Sequence, residues 1–392
     1  MLLLNKDCQG CKFCRKLLES CKTRSRMSAK KSVNHSDAKK PGHGRPSLAT
    51  LSAHLGLSAA AISRVLNRAP AARAIPKATQ DRIFLAANEF NYKPNAVARS
   101  LRHGRSMTVG VLVPEVSDGY TTLVLSGLEQ SLLQAGYVFF LVSHHHRKEL
   151  IEKALTMLIE RSVDGIVAVD TLLEHTPQLP VVSVSCPKDL EGTTNIVLNH
   201  KRAAELAFDH LTGLGHKKIA VIKGQVFSSD TVPRWNAIRH AAHRAGLELD
   251  SRLVAQLEGD APTHEPGYLA TQRLIASDQQ FTAIFAFNDV SAIGAVRALR
   301  EAGLRVPQDV SIVGFDDVQS AAFQNPGLTT VRQPLRTMGM LAAETLVRYI
   351  AANEEDMVGK QVIVDPELVV RESTCPPPTG SARRTKRKGL SV

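Results

Sequence analysis

Four cysteines stand at Cys8, Cys11, Cys14 and Cys21, a C-x2-C-x2-C-x6-C spacing whose thiolates suit zinc or an iron–sulfur cluster. No apolar pattern surrounds them to build a scaffold, so residues 1–26 read as an extension, with Met27 an alternative start, and no metal is expected. The three histidines His144, His145 and His146 close a β-rich run, where successive side chains point different ways, and they read as solvated. The dinucleotide fingerprint G-x-G-x-x-G is missing after the first apolar run, which continues EVSDGY instead. No nucleophile has an evident base partner. The chain is therefore not expected to be an enzyme, and no cofactor is expected. The remaining chemistry is that of recognition: a serine-, alanine- and arginine-bearing stretch, SAAAISR at 58–64, and carboxylates, serines and an arginine near the ends of β-rich runs.

The SAAAISR stretch needs a helix to present it. Leu48, Leu51 and Leu55 share one helical face, Gly56 supplies a turn, and Ser58 is a good N-cap for a second helix that turns Ile62, Val65 and Leu66 inward. A third helix is expected from near Thr79 to about Asn91, burying Ile83, Ala87 and Phe90, with RAPAARAIPKA between as a loop. Helix, glycine turn and capped helix make a helix-turn-helix reader of duplex DNA. Small side chains at Ala59, Ala60 and Ala61 let the second helix approach base edges and contact thymine methyls. Arg64 is the candidate for a guanine, while Ser58, Ser63 and Asn67 suit phosphates or bases. The competing reading is a small helical hairpin within another domain.

Charge divides the same way. Residues 1–106 carry 21 Lys and Arg against 5 Asp and Glu, whereas residues 107–380 carry 23 against 32. A basic front on an acidic body places the polyanion contact at the front. Residues 22–46 are polar, basic and rich in helix breakers, so a flexible arm is expected. Three leucines after Met1 are too few for a signal peptide, and no apolar run nears the roughly 20 residues of a membrane span. A cytoplasmic location is the expectation.

From Thr108 on, β-rich runs (108–114, 137–143, 164–170, 180–185, 218–224, 282–289 and 309–317) alternate with helical stretches. Continuous apolar strands between amphipathic helices imply parallel sheets covered on both faces. The pattern runs twice and breaks near 199–210, so two doubly wound lobes joined by crossovers are expected. Ligands of such sheets bind beyond the strands' carboxyl ends, here in a crevice between lobes. The expected domains are an extension (1–46), a headpiece (47–93), a hinge and linker (94–106), a two-lobed core (107–374) and a basic tail (375–392). The tail has no apolar heptads, so no tetramerising bundle is expected.

The stretches LATLSAHLGLSAAAISRVLN, FNYKPNAVARSLRHGRSMTVGVLVP, GHKKIAVI, FNDVSAIGAVRALREAGLRVPQDVSIVGFDD and PGLTTVRQP resemble the lactose/galactose repressor family over about 48–372. The resemblance implies an all-α helix-turn-helix headpiece, a hinge helix and an α/β two-lobed core similar to periplasmic sugar-binding proteins. It further implies a homodimer on a roughly palindromic operator, controlled by a small effector, with a sugar or sugar derivative as the default. Carried over by position, it puts DNA contacts at Ser47, Ser58, Ala59, Ala60, Ser63, Arg64, Asn67, Tyr92, Asn95 and Arg99, with Leu101 where the family wedges a leucine into the minor groove. Effector contacts fall at Ser117, Asp118, Tyr120, Ser185, Asp230, Arg234, Asn288, Asp289 and Asp316. Asp289 has a competing structural reading, as a cap for the helix after it.

The chain departs from that pattern in several places. Alanines replace the usual polar or aromatic residues early in the recognition helix, and a hydroxyl is missing at Ala61. The loop before the third helix is about three residues longer. Ser185 stands where sugar-responsive members often carry aspartate, and Ala261 lies near where an aromatic often stacks. The rival readings are a solute-binding protein, which calls for a signal peptide and no headpiece, and a Rossmann-type enzyme, which calls for the missing glycine fingerprint.

Overall fold

The computed structural model describes residues 46–93, 104–116, 119–186, 190–260, 262–277, 279–351 and 359–378. The chain forms two compact units, divided after Pro94.

The first unit holds three helices: α1 (Leu48–Leu55), α2 (Ala59–Leu66) and α3 (Lys77–Glu89). Ser47 starts α1 with a capping box, its hydroxyl accepting from Thr50 N at 3.2 Å. Gly56 ends the helix in the left-handed region at φ 67°, a conformation that costs glycine nothing. Ser58 then caps α2 by accepting from Ala61 N at 3.2 Å. The turn bends the two helices by 110°, the angle of a helix-turn-helix. Leu51, Ile62, Val65, Ala72, Ile83, Ala86 and Ala87 bury one another, with Phe90 and Tyr92 packed at the margin. Two expectations need correction. The stretch before α3 contains a 3-10 turn (Pro70–Ala74) that contributes Ala72 to the core, and α3 begins at Lys77. Gln80 ties the turn down, its side-chain nitrogen donating to Ile75 O at 2.9 Å and Ala72 O at 3.1 Å.

The second unit has two six-stranded sheets, where the apolar runs alone indicated seven strands. In lobe 1 the strands are β1 (Thr108–Val113), β2 (Val138–Ser143), β3 (Gly165–Val169), β4 (Val181–Val184), β5 (Thr194–Leu198) and β11 (Gln361–Val364), ordered β11-β5-β4-β3-β1-β2. Every pairing among them is parallel. Lobe 2 has β6 (Ile219–Lys223), β7 (Val254–Gln256), β8 (Ala283–Ala286), β9 (Ser311–Asp316), β10 (Thr329–Arg332) and β12 (Glu367–Val369), ordered β12-β10-β9-β8-β6-β7. Here only the β10–β12 pair is antiparallel.

The helices of lobe 1 are α4 (Tyr120–Gln134), α5 (Lys148–Glu160) and α11 (Leu335–Ala351); those of lobe 2 are α6 (His200–Gly213), α7 (Thr231–Arg244), α8 (Glu265–Ala276), α9 (Asp289–Glu301) and α10 (Gln319–Ala322). The chain crosses between lobes three times: from β5 to α6, from β10 to α11, and from β11 to β12. The simple twofold repeat expected from sequence is thus incomplete, because lobe 1 is finished by α11 and β11 from the far end of the chain. Helix α11 lies directly on α4, where glycines on both sides permit the approach: a Cβ on Gly127 would strike the Arg336 carbonyl, and one on Gly339 the Val124 carbonyl. Each lobe buries apolar side chains on both faces of its sheet, as parallel strands require.

Candidate functional site

Two sites follow from the residues singled out above, one in each unit. In the headpiece, α2 buries Ile62 and Val65 and turns Ala59, Ala60 and Arg64 to solvent. Ser63 and Asn67 lie one helical turn apart and brace each other, with Asn67 Nδ2 donating to Ser63 O at 2.8 Å and to Ser63 Oγ at 3.2 Å. The outward face thus has a small-residue front, a braced polar edge and an arginine. Arg64 and Arg68 have no ion-pair partner among the described residues; Lys77 and Asp81 pair at 3.1 Å on α3. Ser47 and Ser58 are exposed but already serve as caps. Tyr92 is half-buried, and that burial pushes its hydroxyl pKa up. Asn95, Arg99 and Leu101 lie outside the described residues.

In the core, a crevice between the lobes encloses a cavity of about 150 Å³. Lobe 1 contributes Tyr120 from the start of α4, Asp170 from the end of β3 and His146 from beyond β2; lobe 2 contributes Asp230, Arg234 and Asp316. Asp316 ends β9, and Asp170 and Ser185 stand just after β3 and β4; all three adopt positive φ (110°, 42° and 52°). Such backbone costs about 1–3 kcal/mol per residue and recurs where side chains must be aimed.

Arg234 is the centre. It is 3% exposed, lies on α7 one turn after Asp230, and donates from Nη2 to Asp230 Oδ2 at 2.9 Å and from Nη1 to Phe287 O at 2.6 Å. Its guanidinium stacks 3.7 Å from the Phe315 ring centroid and 4.4 Å from that of Phe287. His200 Nε2 approaches Asp230 Oδ1 at 3.3 Å. Burial opposes charge on Asp230, but His200 and Arg234 outweigh it and hold the carboxyl below its usual range. Asp316 has less help. Burial dominates, Arg234 and the hydrogen bond from Gln333 (Nε2 to Oδ1, 2.5 Å) only partly offset it, and its pKa is pushed up to about 7. Asp170 is likewise raised to about 7 by burial and by Asp230, although Ser229 of lobe 2 donates to it from Oγ and, at 3.1 Å, from N. That bond crosses the crevice. A second crossing contact stacks His146 on Phe227 at 4.4 Å.

Several buried polar atoms have no hydrogen-bond partner among the described residues. His200 Nδ1, Arg234 Nε and Gln333 Oε1 all belong to crevice-lining residues or to a second cavity behind Asp230, and Tyr120 Oη meets only the Ser185 hydroxyl. Burial, with Asp230 and Asp170, raises the Tyr120 hydroxyl well above its usual pKa, while Ser185 acts in the opposite sense. An unpaired buried polar atom costs about 1–3 kcal/mol, so a cluster of them marks a place prepared for something else.

Of the effector residues expected from sequence, Tyr120, Asp230, Arg234, Asn288 and Asp316 line the crevice. Ser185 lines the adjoining cavity, with Cys186, His200 and Pro233. Ser117, Asp118 and Ala261 lie outside the described residues. Asp289 requires correction. It is fully enclosed, and its carboxylate turns under β9 to accept from Val318 N at 2.9 Å and Thr330 Oγ1 at 2.6 Å. Asn288, not Asp289, caps α9, accepting from Ser291 N at 2.8 Å. The solvated reading of the histidines is also corrected. His144 is buried, its Nε2 lies 2.8 Å from Thr171 Oγ1, and burial lowers its pKa to about 4; His146 faces the crevice. Sequence reasoning missed Asp170, Gln333 and His200. Asp170 closes the DGIVAVD run, so the strand-end rule applied to it as much as to Asp316.

A model of the periplasmic binding protein-like domain matches residues 208–374. The HTH-type transcriptional repressor PurR of Aliivibrio fischeri (strain MJ11) is 32% identical over 326 residues, covering 81% of this chain and 95% of that protein. PurR of Haemophilus influenzae (strain ATCC 51907 / DSM 11121 / KW20 / Rd) is 32% identical over 328 residues, with the same coverage of both chains. Among solved structures, the lac repressor dimer bound to operator and the anti-inducer ONPF superposes with a TM-score of 0.74 at 25% identity, covering 85% of this chain and all of that one. The complex of the transcriptional regulator CelR with cellobiose gives a TM-score of 0.61 at 27% identity, covering 84% of this chain and all of that one.

Proposed function

The chain belongs to the lactose/galactose repressor family of DNA-binding transcriptional repressors, and from that premise we propose that its crevice takes a sugar or sugar derivative whose binding sets the affinity of the headpiece for an operator. The observation that carries this reading is the group of buried polar atoms left unpaired around the Asp230–Arg234 pair. Arg234 and Asp316 are the principal ligand contacts, with Asp230, Tyr120 and Asn288 beside them and Ser185 behind. Carboxylates accept bonds from vicinal hydroxyls, and a guanidinium donates to ring or hydroxyl oxygens.

On the DNA side, α2 enters the major groove. Ala59 and Ala60 meet the base edges, Arg64 reads guanine, and Ser47, Ser58, Ser63, Asn67 and Tyr92 position the backbone. Asn95 and Arg99 add hinge contacts, and Leu101 is the minor-groove wedge. The protein acts as a homodimer through its core. In support, β2 is an edge strand carrying exposed Val138, Phe140 and Leu141, and an uncovered apolar edge invites a partner. Among the described residues no single helix is long and apolar enough to cross a membrane.

The test is a duplex-selection experiment on the full chain, followed by operator titration with a panel of sugars and sugar derivatives. The reading expects a selected, near-palindromic site and at least one panel member that changes its affinity. Arg234→Ala should lose that change. Operator affinity indifferent to every compound would overturn the reading of the crevice.

A further inference from the structure

The crevice gathers three carboxyl groups around one guanidinium, which bears on the chemistry of its ligand. Three carboxylates line it: Asp170 from lobe 1, and Asp230 and Asp316 from lobe 2. Arg234 is the one lysine or arginine among the described lining residues, and it is already engaged by Asp230, the Phe287 carbonyl and two aromatic rings. His200 is likewise spent on Asp230. Asp170 and Asp316 each commit Oδ1, to Ser229 and to Gln333 respectively, and neither has a hydrogen bond at Oδ2 among the described residues.

A separate observation points to a ligand there. Gln333 is 3% exposed and lines the same cavity; its amide nitrogen is fixed by Asp316, and its carbonyl oxygen Oε1 has no partner. Three acceptors from both lobes thus stand open, while the cavity's one guanidinium has only Nε left unpaired. An ammonium group has three donors and no acceptor, which matches that set; a phosphate or carboxylate would have to displace Asp230 from Arg234 and sit among like charges.

We propose that the crevice ligand is a hydroxylated compound bearing a protonated amine, an amino sugar or an amine of that size, with its nitrogen held between Asp170 of lobe 1 and Asp316 and Gln333 of lobe 2. The inference rests on the reading of the crevice as the effector site. It makes Asp170 the residue that selects amine over hydroxyl. Because Asp170 already bonds Ser229 across the crevice, an amine seated there also ties the lobes together.

The experiment is isothermal titration of the full-length protein with D-glucosamine, D-galactosamine and D-mannosamine, each beside its parent sugar and the sugar 6-phosphate. At least one amine should bind about tenfold or more tightly than its parent, since a charge-assisted bond replaces a neutral one, and the phosphates should bind least. Asp170→Asn keeps the shape and a hydrogen-bonding group but removes the charge. That variant, checked for folding by its thermal transition, should lose far more affinity for the amine than for the parent sugar, so that the amine preference shrinks toward one. Equal binding of amine and parent, tighter binding of a phosphate, or an undiminished preference in Asp170→Asn would each overturn the inference. If neutral sugars bind and amines do not, the inference falls while the effector reading stands. No binding by any of these compounds counts against both.

Discussion

The headpiece and the crevice solve recognition in opposite ways. On α2 the reading groups face solvent, their own scaffold is complete, and the helix is capped and packed without any partner. In the crevice the reading groups are buried, two carboxyls are held near pH 7, and several polar atoms await partners. DNA brings a dense, fixed array of charge, so an exposed, preformed face suffices. A small ligand brings few atoms, and each counts only if water has been removed first. Under the proposed function, unsatisfied burial marks the ligand site and satisfied exposure the nucleic-acid site.

That contrast can be broken from the headpiece side first. Ile83 is fully buried in a small three-helix core. Ile83→Ala should cost about 3 kcal/mol there, enough to unfold much of so small a unit. Operator binding should vanish while ligand binding by the core and its thermal transition remain; loss of both would show that the units do not stand apart. Next in size, Arg234→Ala leaves Asp230 buried beside His200 alone, at a cost of about 3 kcal/mol in the core. Denaturant unfolding should report that loss, and basal operator binding should survive with the effector response gone. On α2, Arg64→Ala should leave stability untouched because the side chain is exposed. Discrimination among operator variants should fall by roughly 2 kcal/mol at one base pair, and random-duplex affinity by less. Equal losses in both would refute base readout.

The smallest effect is one of pH. Asp170 and Asp316 titrate near 7 and Asp289 near 8 in the folded state, all raised chiefly by burial. Raised carboxyls contribute stability that is present below their unfolded values and is lost as pH climbs through the folded ones. His144, His146, His210 and His216 are lowered by burial, so their contribution is present above about 6.5 and is lost on acidification. Between roughly pH 4 and 6.5 the two sets oppose each other, and above that window only the carboxyls act. The core's stability should therefore fall from pH 6.5 to 8.5 by on the order of 1 kcal/mol per carboxyl, and its melting temperature with it. Asp170→Asn should lessen the slope. A melting temperature that rises across that window would contradict the assignment.

Much of this was legible in the sequence because it is local. The glycine turn, the serine caps and the inward Ile62 and Val65 are fixed by neighbours within a few residues, and the seven apolar runs all became strands, interior to their sheets except for β2 at an edge. The parts that escaped depend on distant chain. β7 has three residues and β12 three, and β5, β10 and β11 mix polar with apolar side chains, so their identity comes from the strands they pair with. Helix α11 and β11 return to lobe 1 across the whole of lobe 2, which no local pattern announces. Asp289 was misplaced because a strand-end position does not say which way the first helical residue turns. Asp170 was passed over although its position was as informative as that of Asp316.

The central claim is that crevice and headpiece share one coupling free energy. Its most direct measurement is effector affinity on the full chain by titration, with and without saturating operator, set against operator affinity with and without saturating effector. The account expects the same factor from both, between about 5-fold and 150-fold. Two affinities that each ignore the other ligand would contradict it.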